Sequence, residues 1–549
     1  MKTRRMAGIA ASILAGSLVL AACSGDTTDE GTTDAAATGD ASGVVVTVNG
    51  TEPQNPLIPA HTNETSGGKI VDLLFVGLFY YAPDGTLENE VAESIETDDN
   101  QTYTITLNDG WTFTDGTPVT SASFVDAWNH AALLSNAMNN SYFFESIEGF
   151  SWDEDSELKG QGLNVVDDLT FTVKLVAPDA NFPLRLGYSA FYPLPESAFA
   201  DIEAFGENPV GNGPYMMDGE GAWEHNVQAT LVPNPDYEGG RAAQNGGVTV
   251  KFYETQDAAY NDLLSGNLDV IDAVPDSAFT TYEDELEGRA VNAPAAIFQS
   301  VTVPEYNTDF DGEDGKLRRQ AISHAINRAE ITDTIFQGTR TPATDFTSPV
   351  VEGWSDDIPG SEVLAYDPEK AKELWQEAEA IEPFSGNPVK LAYNADGGHQ
   401  AWVDAVSNSI TNTLTEFGVT AQGNPYPTFQ ELLDDRDAGA IDGLFRSGWQ
   451  FDWPGMDNSL GAMFVTGAGS NDGQYSNPEF DNLLREAATA PSVDEATELY
   501  RQAQEILFQD LPQIPLWYSN VNGGWAEGVE NVEFSWNSVP QMYMVTKAE

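Results

Sequence analysis

The chain holds a single cysteine, Cys23, so no internal disulfide can form and the folded body must stand on its core alone. Positive charge is also scarce. Lysine and arginine number 23 against 87 aspartates and glutamates, a formal net charge of −64, which excludes nucleic acid and anionic lipid surfaces as partners because both are repelled. The five histidines (His61, His130, His225, His324, His399) include no pair at metal-ligand spacing, and no H-E-x-x-H motif or Cys/His cluster is present, so no metal site is expected. Asp309-Phe-Asp-Gly-Glu-Asp-Gly315 falls short of a calcium loop, since its glycine comes one position late and position twelve is Gln320. Gly467 to Gly473 lacks the lysine of a phosphate loop, and no G-x-S-x-G elbow occurs. We therefore expect no catalytic residue and no cofactor. Beyond residue 20 no uncharged apolar run is long enough to cross a bilayer.

What the chain does have is apolar content, 41% hydrophobic and 11% aromatic, enough for a large core and two to four structural units. Met1-Lys-Thr-Arg-Arg5 followed by the small, apolar Ala7–Leu20 has the form of a secretory signal, assigned to residues 1–22. Directly after it, Leu20-Ala-Ala-Cys23 resembles the lipobox of bacterial lipoproteins, which implies a lipidated Cys23. Residues 23–42, rich in Thr, Asp, Ala and Gly, then read as a flexible tether. Attachment to the outer face of the cytoplasmic membrane would be through lipid only.

From residue 43 strand and helix signals alternate, an α/β pattern. Val44–Val48, Tyr103–Leu107, Leu169–Leu175, Val248–Tyr253 and Val389–Tyr393 read as strands. Helix periodicity runs through Ser66–Tyr81, Ser121–Leu134 (Ser121 or Ser123 as cap), Ala258–Leu264 (closing at Gly266), Leu317–Arg328, a segment opened by Asp367-Pro368, Gln400–Phe417 and Pro491–Gln509. The densest chemistry lies in Gly443-Leu-Phe-Arg-Ser-Gly-Trp-Gln-Phe-Asp-Trp-Pro-Gly455. Leu444 and Phe445 read as the end of a buried strand. Trp449 and Trp453 offer flat apolar walls, Asp452 offers lone pairs to a cation, and Arg446 offers a fork to a carboxylate. An alternative is that these charges pair internally and the indoles fill a core.

An ordered series of short motifs resembles the family 5 extracellular solute-binding proteins, the oligopeptide and dipeptide receptors of ABC importers. It runs through Asn49-Gly-Thr-Glu-Pro-Gln54, Phe113-Thr-Asp-Gly-Thr-Pro-Val-Thr120, Phe191-Tyr-Pro-Leu-Pro195, Val210-Gly-Asn-Gly-Pro-Tyr215, Asn234-Pro-Asp-Tyr237, Leu317-Arg-Arg-Gln-Ala-Ile322, Tyr366-Asp-Pro-Glu-Lys-Ala-Lys372, Arg446-x-Gly-Trp-x-x-Asp452 and Tyr475-Ser-Asn-Pro-Glu-Phe-Asp481. The resemblance implies a two-lobed α/β architecture like that of periplasmic binding proteins (type II, with an extra inserted domain) and a ligand cleft between the lobes. Lobe 1 would comprise 43–64, 189–298 and 513–549, the inserted domain 65–188, and lobe 2 299–512. It further implies a non-enzymatic, monomeric receptor that captures short peptides and delivers them to the permease and ATPase subunits of its importer. By motif matching, Asp452 would accept the peptide α-ammonium, with Gly448 and Gln450 lending backbone groups and Glu52 standing opposite. Trp449 and Trp453 would wall the site, Arg446 would receive a carboxylate or a substrate side chain, and Asn394 with His399 would line a side-chain pocket. An oligosaccharide or other small solute in the same architecture is the alternative, and an extracellular hydrolase a more distant one. The sequence departs from the family at Asn108, a neutral change; at Trp453-Pro454 after the aspartate, so the pocket is expected to be more aromatic than in relatives; and at Val303-Pro-Glu-Tyr306, which replaces an aromatic pair and leaves the preferred peptide length open.

Overall fold

Val46–Gly50 is mostly β-branched and buried, with Val248–Phe252 parallel to it on one side and Val270–Ile271 parallel on the other, at Val48. An apolar run of this kind suits a strand covered on both faces. This computed structural model describes residues 43–395 and 398–548, so the signal segment, Cys23 and the tether lie outside the described residues. Gln228–Pro233 and Tyr215–Met217 extend the sheet antiparallel. On the other side, Val270–Ile271 pairs with the end of Gln513–Trp525, a 13-residue strand antiparallel to a second 13-residue strand, Ala290–Thr302. The far half of Ala290–Thr302 pairs with Leu444–Gln450, followed by Val389–Asn394 and Ala421–Tyr426 in parallel register. Two long strands thus serve both halves of the molecule and form the crossings between them.

The ladder between the crossings is interrupted. Pro294 pairs with Asn520 and Phe298 with Tyr518, so Ala295, Ala296 and Ile297 stand opposite Ser519 alone. Proline has no N–H to give a ladder, and extra residues of this kind bend and twist a strand. The released groups bond elsewhere: Ala296 N–H donates to Trp536 O at 2.8 Å, Phe451 N–H donates to Ala296 O at 3.0 Å, and Ser348 Oγ donates to Ala295 O at 2.8 Å.

One buried cluster is drawn from residues 46–286 together with Trp453 and the C-terminal Ala526, Val529, Met542 and Val545. It unites the parallel sheet with a four-stranded antiparallel sheet, ordered Ala92–Thr97, Thr102–Leu107, Thr170–Lys174, Leu163–Asp167, and with the helix Ser121–Ala132. Two further large clusters fill the half built from residues beyond 295. No helix among the described residues is long and apolar enough to cross a membrane.

Several sequence readings hold in detail. Thr102–Leu107 alternates half-buried and buried, Asp367 accepts from the N–H groups of Glu369 and Lys370 at 3.1 and 3.0 Å, and Gly266 follows Gln256–Leu264 with φ +73°. Others shift. The cap of Ser121–Ala132 is Thr120, whose N–H donates to Ser123 Oγ at 3.1 Å. Leu444 and Phe445 open their strand instead of ending it. The helix expected to run to Tyr81 covers Thr65–Leu74, and Phe79–Tyr81 is a strand. A turn from distant sequence stops it: Gly213 N–H donates to Leu74 O at 2.9 Å, while Asn212 accepts from Val76 N–H and donates to Val76 O, both at 3.1 Å. Gly211 is required there, since a Cβ would lie 1.9 Å from Leu74 O.

A candidate ligand cleft where the lobes meet

The strand Leu444–Gln450 builds one wall. Its pairs with Ala290–Thr302 run from Phe445–Thr302 to Gln450–Ile297, whereas Val389–Asn394 pairs with it only at Leu444 and Phe445. Beyond Arg446, from Ser447 to Gln450, its outer edge has no strand partner among the described residues. The bond from Phe451 N–H to Ala296 O carries the ladder one step into the bulge, after which Asp452 enters a cavity of about 360 Å³. That volume is within the usual range for small ligands, roughly 300–1,000 Å³. The opposite wall comes from the other half: Lys69 and Asp72 on the helix Thr65–Leu74, Tyr81, Tyr188, Tyr192 and Arg241.

Asp452 is half-buried and poorly satisfied. Its bonds with Asn458 are long: Asn458 Nδ2 donates to Asp452 Oδ2 at 3.5 Å, and Asp452 N–H donates to Asn458 Oδ1 at 3.4 Å. No cation among the described residues forms an ion pair with it. Burial pushes its carboxyl up to about 7, and only the Asn458 bond opposes this. Its negative charge adds to burial in raising the phenols of Tyr81, Tyr142 and Tyr188. Asp72 is raised to about 6 by burial, opposed by the Arg241 charge and by Tyr192, whose hydroxyl donates to Oδ1 at 3.2 Å. The cations of this wall are already engaged. Lys69 pairs with Asp272 and donates to Asn49 O at 3.0 Å, and Arg241 grips Glu90 at 2.6 and 3.3 Å.

The residues singled out from sequence divide among different places. Gln450 and Asp452 line the larger cavity. Arg446, Gly448, Trp449, Gln450 and His399 line a smaller one of about 190 Å³, closed by Trp402 and Trp517, so Gln450 borders both. Trp449 Nε1 donates to Asn458 Oδ1 at 2.5 Å, which ties the indole to the residue that touches Asp452. Asn394 is buried and takes a 2.8 Å bond from Arg446 Nε, while the guanidinium lies over the Phe429 ring at 4.5 Å. His399 Nδ1 accepts from Trp402 Nε1 at 3.2 Å.

Two of these residues stand apart from both cavities. Glu52 lines neither cavity, because its carboxylate is turned to His225 Nδ1 at 2.7 Å and Asn226 N–H at 2.6 Å. Trp453 lines neither one. It is buried against the first half of the molecule, with Phe143 6.1 Å away and the Arg185 guanidinium over its ring at 5.2 Å, and its Nε1 donates to Asp457 at 3.1 Å. It joins the two halves of the molecule. Sequence reasoning passed over Asp72, Tyr81, Tyr188 and Tyr192. The signal for Asp72 was visible in Lys69-Ile-Val-Asp-Leu-Leu74, two charges inside an otherwise apolar helix; the tyrosines carried none. Gly187 makes room for Tyr81, whose ring lies 2.8 Å from where a Cβ would stand.

Two α/β lobes sharing a sheet through paired crossing strands, with a ligand-sized cavity where they meet, define the class of two-lobed solute-binding proteins. The chain belongs to the bacterial extracellular solute-binding proteins, family 5, whose middle-region model matches residues 86–471, more than half of its length. It is 26% identical over 483 residues to the oligopeptide-binding protein OppA of Bacillus subtilis (strain 168), covering 85% of this chain and 86% of that one. It is 25% identical over 540 residues to the dipeptide-binding protein of Lactococcus lactis subsp. cremoris (strain MG1363), covering 93% of each. Among solved structures, the Escherichia coli murein tripeptide-binding protein MppA superposes with a TM-score of 0.75 at 21% identity, over 92% of this chain and 98% of that one.

Proposed function

We propose that the protein is a non-enzymatic receptor that captures short peptides outside the cytoplasmic membrane, tethered by lipid on Cys23, and presents them to the permease of an ABC importer. In this reading the lobes, 43–64 with 189–298 and 513–549 on one side and 299–512 on the other, close over the peptide, with 65–188 as the inserted domain. The single observation that carries it is Asp452, a half-buried carboxylate in the cavity without a cation of its own. An α-ammonium supplies the missing charge, and in a cavity poor in water such a bond is strong. The open edge from Ser447 to Gln450 supports an extended ligand added as a strand, bound through its main chain whatever its side chains. The peptide names of both relatives point the same way. Arg446, braced by Asn394 and Phe429, would meet a carboxylate or a downstream side chain beside His399 and Trp449.

Calorimetry with Ala-Ala-Ala and its N-acetyl derivative tests this. The free peptide should bind about a hundredfold more tightly or better, from the 2–5 kcal/mol lost when a buried charge loses its partner. Equal affinities would remove Asp452 as the amine anchor and favour a neutral solute.

A further inference from the structure

We propose that the cavity prefers peptides whose first residue is itself basic, with Asp72 receiving that residue's side-chain cation while Asp452 holds the α-ammonium. The proposal rests on the amine reading of Asp452. Its own basis is the charge inventory of the cavity wall. The charged lining residues are Glu64, Lys69, Asp72, Arg241 and Asp452. Lys69 is neutralised by Asp272 and Arg241 by Glu90. Glu64 caps its helix, accepting from the N–H groups of Gly67 at 2.7 Å and Gln54 at 3.2 Å. Two carboxylates remain without an ion pair among the described residues, one from each half of the molecule; the Arg241 charge reaches Asp72 but its guanidinium is bonded to Glu90, so a ligand with one ammonium leaves the other carboxylate without a cation in contact.

The two carboxylates line the same cavity, as do Tyr81, Tyr188 and Tyr192, so a ligand that fills it meets both acids and the phenols beside them. Tyr81 is fixed by a 2.6 Å bond to Leu184 O, and aromatic faces favour a cationic side chain passing between them. Among the described residues the Asp72 carboxylate accepts a hydrogen bond from the Tyr192 hydroxyl alone, which leaves lone pairs for a donor. Peptide and free diamine share this chemistry; we assign the peptide because the strand edge at Ser447–Gln450 continues from the same cavity.

The test is calorimetry on the full chain with X-Ala-Ala, where X is norleucine, ornithine or lysine, together with N-acetyl-norleucine-Ala-Ala and 1,5-diaminopentane. The ornithine or lysine peptide should bind at least about tenfold more tightly than norleucine, and Asp72→Asn should erase that preference, the three peptides then binding within about twofold of one another, with circular dichroism reporting that the variant is folded. Equal binding of lysine, ornithine and norleucine peptides by the unmodified protein overturns the proposal without any variant. So does an Asp72→Asn variant that weakens all peptides alike, or a diamine that binds as tightly as the best peptide. Equal binding of free and acetylated norleucine peptides would instead mark failure of the underlying amine reading.

Discussion

A carboxylate raised to about 7 by burial is one the fold has not satisfied, and two consequences follow for Asp452. The folded state holds its proton more tightly than the unfolded chain does, so the stability it confers is full below the ordinary value of 3.8 and is lost as pH rises through about 7. Asp452→Asn should therefore stabilise the ligand-free protein at pH 8, by on the order of 1 kcal/mol or more, and leave it unchanged near pH 3.5. Chemical denaturation at the two pH values checks this; a variant less stable at pH 8 would mean the carboxylate has a partner. The second consequence concerns binding. An ammonium needs the ionised form, so peptide affinity should fall by up to about tenfold for each pH unit below 7. Titrations from pH 5.5 to 7 give the slope, and a flat profile would contradict it.

At the scale of elements, the turn Gly211-Asn-Gly213 fixes where the first helix stops and hence how Lys69 and Asp72 face the cavity. Asn212→Ala would leave the buried N–H and C=O of Val76 unpaired, at about 1–3 kcal/mol for each group. Urea unfolding should show that loss, and a change under 0.5 kcal/mol would count against it. Local periodicity made Thr102–Leu107 and the capped helix after Asp367 legible, because neighbouring residues decide them. It failed for the helix Thr65–Leu74, whose apolar spacing continues past Leu74 while its end is set by residues far along the chain. The same limit governs the site. The type and spacing of Arg446, Trp449 and Asp452 draw attention to the segment that borders both cavities. Nothing in the sequence shows that Trp453 crosses to Phe143 and Arg185, that Glu52 turns to His225, or that tyrosines from the other half line the same cavity as Asp452.

For the whole molecule, closure of the lobes as proposed would bend the crossings, and the interrupted ladder at Ala295–Ile297 is where the pairing between them is weakest. Contacts of Trp453 with Phe143 and of Asp457 with Arg185 (3.4 Å) join the halves. A ligand held by both halves shifts the population toward closure, so small-angle scattering should give a smaller radius of gyration with peptide than without. Trp453→Ala should enlarge the ligand-free radius, and identical curves for both proteins, free and bound, would mean the halves do not move. At the membrane, Cys23→Ala should release the protein into the soluble fraction, whereas unchanged fractionation would exclude lipid as its tether. The claim on which the functional reading depends is the bond between Asp452 and a peptide amine. A calorimetric cycle of unmodified protein and Asp452→Asn, each with free and N-acetylated Ala-Ala-Ala, measures it most directly. Either change alone should cost about 2–5 kcal/mol and the second should add little once the first is made; costs that simply add, or an Asn variant that still discriminates against the acetyl group, would show that the amine is bound elsewhere.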